Sequence, residues 1–96
     1  MTGCPRVVLH GEIDLATREQ VLALLEEGAD QALALGTDLQ VDMAAVTFID
    51  SSGLSCLAQA VVKLTPDQRR VRLCGVNLST LRILELVGMA DLVEPG

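Results

Sequence analysis

The feature that most restricts this 96-residue chain is an alternation of two periods. Short runs rich in β-branched residues trade places with longer stretches whose apolar residues recur every three to four positions. Arg6 to His10 (RVVLH) reads as a strand closed by Gly11. Thr17 with Gln20 three residues on has the spacing of a capping box, so a helix is expected to begin there. Its apolar positions Val21, Leu24, Leu25, Ala29, Ala32 and Leu33 follow helical spacing, and Gly36 is placed to end it. Leu39 to Met43 reads as a buried strand, and Val46 to Ile49 continues as an extended approach to Asp50-Ser51-Ser52-Gly53. From about Ser52 a second helix is predicted by the repeat of Leu54, Leu57, Ala58, Val61 and Leu64, with Thr65-Pro66-Asp67 stopping it. Val71 to Cys74 is a third strand. Leu78 to Val87 is a third helix with Leu81, Leu84 and Val87 on one side, and Gly88 lies just past its end. Leu92 and Val93 are expected to add a short fourth strand.

Strands that alternate with helices pair in parallel through right-handed crossovers and take the apolar face of each helix onto the sheet. The expectation is therefore a single α/β domain spanning 1–96, with its functional loops beyond the carboxyl ends of the strands. Two segments fit that position and are expected to lie side by side, Gly11 to Thr17 and Thr47 to Gly53. The core must be aliphatic, because Phe48 is the sole aromatic residue.

Thirteen acids against seven bases give a net charge of −6, with the basic residues scattered and no aromatic platform beside them. Nucleic-acid binding needs a cationic stripe or stacking surfaces, so nucleic acid is not expected as a partner. No apolar stretch approaches the roughly 20 residues that cross a bilayer, and Met1 to Pro5 lacks a signal-peptide layout. Membrane insertion is not expected, and the protein is expected to be cytoplasmic. Cys4, Cys56 and Cys74 show neither a paired nor a metal-binding spacing; Cys56 and Cys74 read as packing thiols, and no metal or cofactor is expected.

Asp50-Ser51-Ser52-Gly53 is the most informative stretch, because two hydroxyls stand where a strand gives way to a helix. One serine can cap the helix while its neighbour points outward. A hydroxyl at a helix N-terminus is also a favourable place for phosphate, since free N–H groups and the positive end of the dipole stabilise anions there. Glu12 and Asp14 read as solvated loop carboxylates, as a helix-approach cap, as an acid–base pair, or as part of a recognition surface beside the serines. The acids Glu19, Glu26, Glu27 and Asp30 read as a solvated helix face. Serine hydrolase chemistry lacks both the glycine two residues before the nucleophile and a later histidine, since His10 is the sole imidazole. Nucleotide-binding glycine loops are missing as well, so no enzyme is expected.

Taken in order, Gly11-Glu12-Ile13-Asp14-Leu15-Ala16-Thr17, Val41-Asp42, Val46-Thr47-Phe48-Ile49-Asp50-Ser51-Ser52-Gly53-Leu54 and Leu73-Cys74-Gly75-Val76 resemble a STAS domain of the bacterial anti-sigma factor antagonist type, from about residue 7 to 93. The resemblance implies four largely parallel strands with helices packed mainly on one face. It further implies a protein that, unphosphorylated, binds an anti-sigma factor serine kinase and so frees a sigma factor, with a serine phosphatase to reset it. Carried over, the phospho-acceptor is Ser51, and Asp14, Asp50, Ser52 and Gly53 are the expected partner-binding positions. The family's usual first strand and last helix are not recognisable here. The first strand is thereby left as an edge open to a partner or a second copy, and a monomer or weak homodimer is expected. A STAS-like subunit that binds the ATPase of an ABC-type phospholipid transport complex, without a phosphate switch, is the alternative.

Overall fold

The computed structural model describes residues 3–94, so the outer bounds of the expected domain lie outside the described residues. The elements run β1 (Arg6–Ile13), α1 (Arg18–Leu35), β2 (Leu39–Ile49), α2 (Ser51–Leu64), β3 (Val71–Cys74) and α3 (Leu78–Leu86), with 3-10 turns at Thr65–Asp67 and Ala90–Leu92. The sheet has the order β1-β2-β3 and both pairings are parallel, as crossover helices require. The expected fourth strand is corrected to a single bridge, Leu73 with Val93. The 3-10 turn at Ala90–Leu92 occupies the residues that would have extended it, and only Glu94 N–H continues toward the sheet, donating to Leu73 C=O at 2.7 Å.

The approach Val46 to Ile49 belongs to β2, which runs unbroken for 11 residues against the 8 of β1. Leu39 lies ahead of the stretch paired with β1, and the other two surplus residues are taken up by two irregularities in the β1·β2 register. Val8 and His10 face Asp42 and Ala45, and Gly11 and Glu12 face Val46 and Phe48, so each step places an extra residue on β2. A bulge shifts the inside–outside alternation by one, which explains why the buried residues of β2 pass from Leu39, Val41 and Met43 to Val46 and Ile49 at intervals of three. Gly11 therefore does not close β1. It lies within the strand at φ 72°, a backbone conformation that costs glycine little, and the chain continues to Ile13.

One face of the sheet carries the core. Val7, Leu9 and Ile13 of β1, the five buried residues of β2, and Val71 and Leu73 of β3 meet Val21, Leu25, Ala29 and Ala32 of α1, Cys56, Leu57, Ala60 and Leu64 of α2, and Leu84 of α3. The other face leaves Val8, Ala44, Ala45 and Phe48 exposed, so the helices sit mainly on one side. Asp30 of α1 and Lys63 of α2 are linked across the helices at 2.7 Å. At the far edge Arg72 reaches Asp38 at 2.9 Å and Glu94 at 3.2 Å, which fastens the last described residue to β3.

Two stability experiments follow from this layout. Leu25 is fully buried whereas Leu35 is 57% exposed on the same helix. Leu25→Ala is expected to cost about 2–5 kcal/mol in chemical denaturation, and Leu35→Ala to stay within about 0.5 kcal/mol. Asp42 accepts the Ala44 N–H at 2.9 Å and the Arg6 guanidinium, and these hold its carboxyl below the usual aspartate range. A lowered folded-state value means stability that is present above the unfolded pKa and lost as pH falls through the folded one. Acid titration of Asp42→Asn is expected to show a shallower loss of stability in that window than the parent.

Candidate functional site

At the carboxyl end of the sheet β1 and β2 stop together. Ile13 pairs with Ile49, and the Asp50 N–H donates to Ile13 C=O at 3.1 Å, so the loops after the two strands do lie side by side. Asp50 has extended backbone angles (φ −114°, ψ −168°) and is the N-cap of α2. Its Oδ1 accepts from Ser52 N–H at 2.8 Å and Gly53 N–H at 3.3 Å, while its carbonyl takes the Leu54 N–H at 3.0 Å. The expectation that a serine caps this helix is thereby corrected: the aspartate does so, and the helix starts one residue earlier, at Ser51. Aspartate caps as well as serine, and its carboxylate adds a favourable interaction with the helix dipole. The consecutive run of polar residues concealed which of them held the role.

Ser51, freed from capping, is the first helical residue and is exposed. Ser52 is half-buried. Among the described residues neither hydroxyl has a hydrogen-bond partner, so Ser51 Oγ is accessible and uncommitted. Gly53 is buried, and a Cβ there would fall 2.6 Å from Ile13 Cγ2 and 2.6 Å from Ile49 Cγ1. Its part in the site is to let α2 rest on the strand ends, and it presents no side chain to a partner.

Asp14 opens the neighbouring loop. Its Oδ1 accepts from Ala16 N–H at 3.0 Å and Thr17 N–H at 3.2 Å. The capping box expected of Thr17 and Gln20 does not form, because Thr17 sits at αR angles and makes no side-chain cap bond. Instead the Thr17 hydroxyl donates to Glu12 C=O at 3.0 Å and accepts the Asp14 N–H at 3.0 Å, tying the end of β1 to the start of α1. Of the readings open for Asp14, the helix-approach cap is the one its bonds show. Glu12 is exposed, and among the described residues it forms no ion pair. Sequence reasoning missed Thr17 as a clasp, although a hydroxyl three residues after an aspartate is a known local hydrogen-bonding pattern.

The remaining candidates lie elsewhere. His10 is exposed on β1. Cys56 is buried beside the carbonyl of Arg18, and burial pushes its thiol up, as expected of a packing residue. Cys74 Sγ donates to Val41 C=O at 3.5 Å. Among the described residues no cluster of His, Cys, Asp and Glu is arranged to hold a metal ion, and no helix is long and apolar enough to cross a membrane.

A substitution series separates the roles at this junction. Asp50→Ala is expected to lower stability by about 0.5–2 kcal/mol and Asp50→Asn, which keeps a cap acceptor, by less. Gly53→Ala is expected to cost about 1–3 kcal/mol through overpacking against two stiff isoleucines. Ser51→Ala is expected to leave the denaturation midpoint within about 0.5 kcal/mol of the parent in free energy.

Comparison with known proteins gives this geometry a family. Residues 2–94 match the family profile described as "Mlab, STAS domain". The anti-sigma-B factor antagonists of Listeria monocytogenes and Listeria innocua are each 30% identical over 88 residues, which cover 92% of this chain and 75% of theirs. Among solved structures, the anti-sigma factor antagonist SpoIIAA in its unphosphorylated form superposes with a TM-score of 0.78 at 22% identity, covering all of this chain and 84% of that one. The Bacillus cell fate determinant SpoIIAA in the phosphorylated form gives 0.69 at the same identity, covering 86% of that chain. The chain belongs to the STAS domain family and, within it, to the anti-sigma factor antagonists.

Proposed function

We propose that this domain is a phosphorylation-controlled docking module: unphosphorylated, it binds an anti-sigma factor serine kinase in the cytoplasm and so frees a sigma factor, and phosphate on Ser51 ends the association. The observation that carries this reading is the accessible, uncommitted hydroxyl of Ser51 at the first position of α2, beside the Asp50 carboxylate. That one relative by fold is known in unphosphorylated and phosphorylated forms supports it. Asp14, Asp50 and Ser52 flank the acceptor as the rim of the contact, and Gly53 seats them. A phosphatase resets the switch.

Phosphate adds about −1.5 to −2 charges at neutral pH. At Ser51 it finds two of the first-turn N–H groups already given to Asp50 Oδ1, so little is left to neutralise it. The new charge stands next to a carboxylate and is presented to whatever covers this end of the sheet. A hundredfold loss of affinity takes only about 2.7 kcal/mol, within the cost of confronting an interface with an unpaired charge.

The test uses the purified chain, its kinase partner and ATP, with the adduct located by mass spectrometry and affinity measured by calorimetry. A single phosphate on Ser51 is expected. Ser51→Glu is expected to bind at least tenfold more weakly than the parent, and Ser51→Ala to bind equally while resisting modification. Phosphate on another residue, or equal affinity for parent and Ser51→Glu, overturns the switch. Equal, constitutive binding to a transport ATPase would instead assign the protein to a phospholipid transport complex.

A further inference from the structure

One peptide unit joins the two loops at the carboxyl end of the sheet. It lies between Ile13 and Asp14. Its carbonyl accepts the Asp50 N–H at 3.1 Å, and its N–H donates to Thr17 Oγ1 at 3.0 Å. In a trans peptide these two groups point in opposite directions, so the partners on either side fix the tilt of the plane between them. The Thr17 hydroxyl has one proton to give. Glu12 C=O takes it at 3.0 Å, since the Asp14 carbonyl and Oδ1 both stand farther off at 3.4 Å. The oxygen is thereby left to accept from Asp14.

From this hydroxyl an unbroken run of bonds leads to the acceptor. Thr17 Oγ1 holds the Asp14 N–H, Ile13 C=O holds the Asp50 N–H, and Asp50 Oδ1 holds the N–H groups of Ser52 and Gly53. Ser51 lies between the last two links, flanked by Asp50 and Ser52. Bonds that share one amide polarise one another in the same sense, so loss of the first weakens the next. α1 receives no side-chain cap from Thr17, and β1 ends on the pairing of Ile13 with Ile49, so neither element needs this hydroxyl to form. What it supplies is direction. Without it the Ile13–Asp14 plane is free to turn, the Asp50 N–H follows its acceptor, and the cap and Ser51 move with it.

We infer that Thr17 is a positioning residue for the phospho-acceptor: through the Ile13–Asp14 peptide and the Asp50 cap, its hydroxyl sets the place of Ser51 and so governs how fast phosphate is accepted. This rests on the reading of Ser51 as the acceptor. In the transfer, Ser51 Oγ forms a bond to the γ-phosphorus of ATP. The bond from that phosphorus to the bridging oxygen breaks, its electron pair leaves with ADP, and the serine proton passes to a base on the kinase. Thr17 takes no part in these bonds. The attacking oxygen must lie in line with the leaving one, and a misplacement of about 1 Å can cost roughly a hundredfold in rate. The effect of Thr17 therefore falls on the transfer step rather than on docking.

The test is single-turnover phosphorylation of the 96-residue chain by an excess of the kinase with ATP, read beside calorimetric affinity and amide exchange at Asp50. Thr17→Val keeps the side-chain shape without the hydroxyl, Thr17→Ala removes it without adding a methyl group, and Thr17→Ser retains it. Thr65→Val is the control, because it deletes a hydroxyl bonded to Val61 C=O at 2.6 Å at the far end of α2. Thr17→Val and Thr17→Ala are expected to keep the parent's far-UV circular dichroism and to exchange the Asp50 amide faster. Both are expected to accept phosphate about tenfold or more slowly at saturating kinase, with affinity within about threefold of the parent. Thr17→Ser and Thr65→Val are expected to match the parent in rate. Parental rates in both hydroxyl-free variants overturn the inference and leave Ser51 as the acceptor. So does an equal slowing in Thr65→Val or Thr17→Ser, or a loss seen in affinity alone. A parent that takes no phosphate on Ser51 overturns the proposed function itself, and this inference with it.

Discussion

Gly53 has no side chain, and α2 takes its position from that absence. Ile13 and Ile49 end two neighbouring strands with their side chains on the core face, and they press into the space a Cβ at residue 53 would need. The helix can then begin at Ser51, with only Asp50 between it and the end of β2 at Ile49. With any larger residue, α2 would have to lift from the sheet, Asp50 would lose the geometry of its cap, and Ser51 would leave its fixed place above the strand ends. Packing at a buried glycine thus sets the address of an exposed hydroxyl.

The bulges in β2 serve the same junction. A regular strand of 11 residues would alternate strictly, and continuing the alternation of Leu39, Val41 and Met43 would put Ala45, Thr47 and Ile49 inside and Val46 outside. Two extra residues return Val46 to the core and keep Ile49 there, so the small Ala44 and Ala45 and the polar Thr47 fall on the open face. Bulges in general increase local strand twist and recur where a chain must aim a functional residue.

The order of elements was legible because it rests on period. The 3.6-residue repeats of α1 and α2 and the β-branched runs of β1 and β3 each point one way, and the quoted motif carried the family. What escaped notice depended on pairing and hydrogen bonds that hydrophobic period does not encode. Gly11 looks like a stop, yet pairing with β2 carries the strand through it. Thr17 looks like a cap, but its hydroxyl is claimed by Glu12 and Asp14. Leu24 fits the apolar stripe of α1 and is nonetheless 46% exposed, because β1 beneath it is an edge and, among the described residues, no further element covers that flank. The last strand shrank to one bridge because a 3-10 turn, invisible to hydropathy, consumes the residues before Val93.

The cap also decides the sign of the electrostatics at Ser51. A helix start capped by a neutral serine would leave its positive end partly exposed, and a phosphate arriving there would be welcomed by free N–H groups and held close to the helix. With Asp50 as cap, Oδ1 takes the N–H groups of Ser52 and Gly53 and its charge opposes the dipole. Asp14 spends its own carboxylate on the adjoining turn in the same manner. Both loops therefore hold their shape by internal bonds made before any phosphate is present. A dianion added at Ser51 has little to reorganise locally, so its free energy is expressed outward, against whatever rests on the strand ends. On the proposed reading, a rigid, self-satisfied acidic platform is in this way better suited to releasing a bound protein than to changing its own conformation.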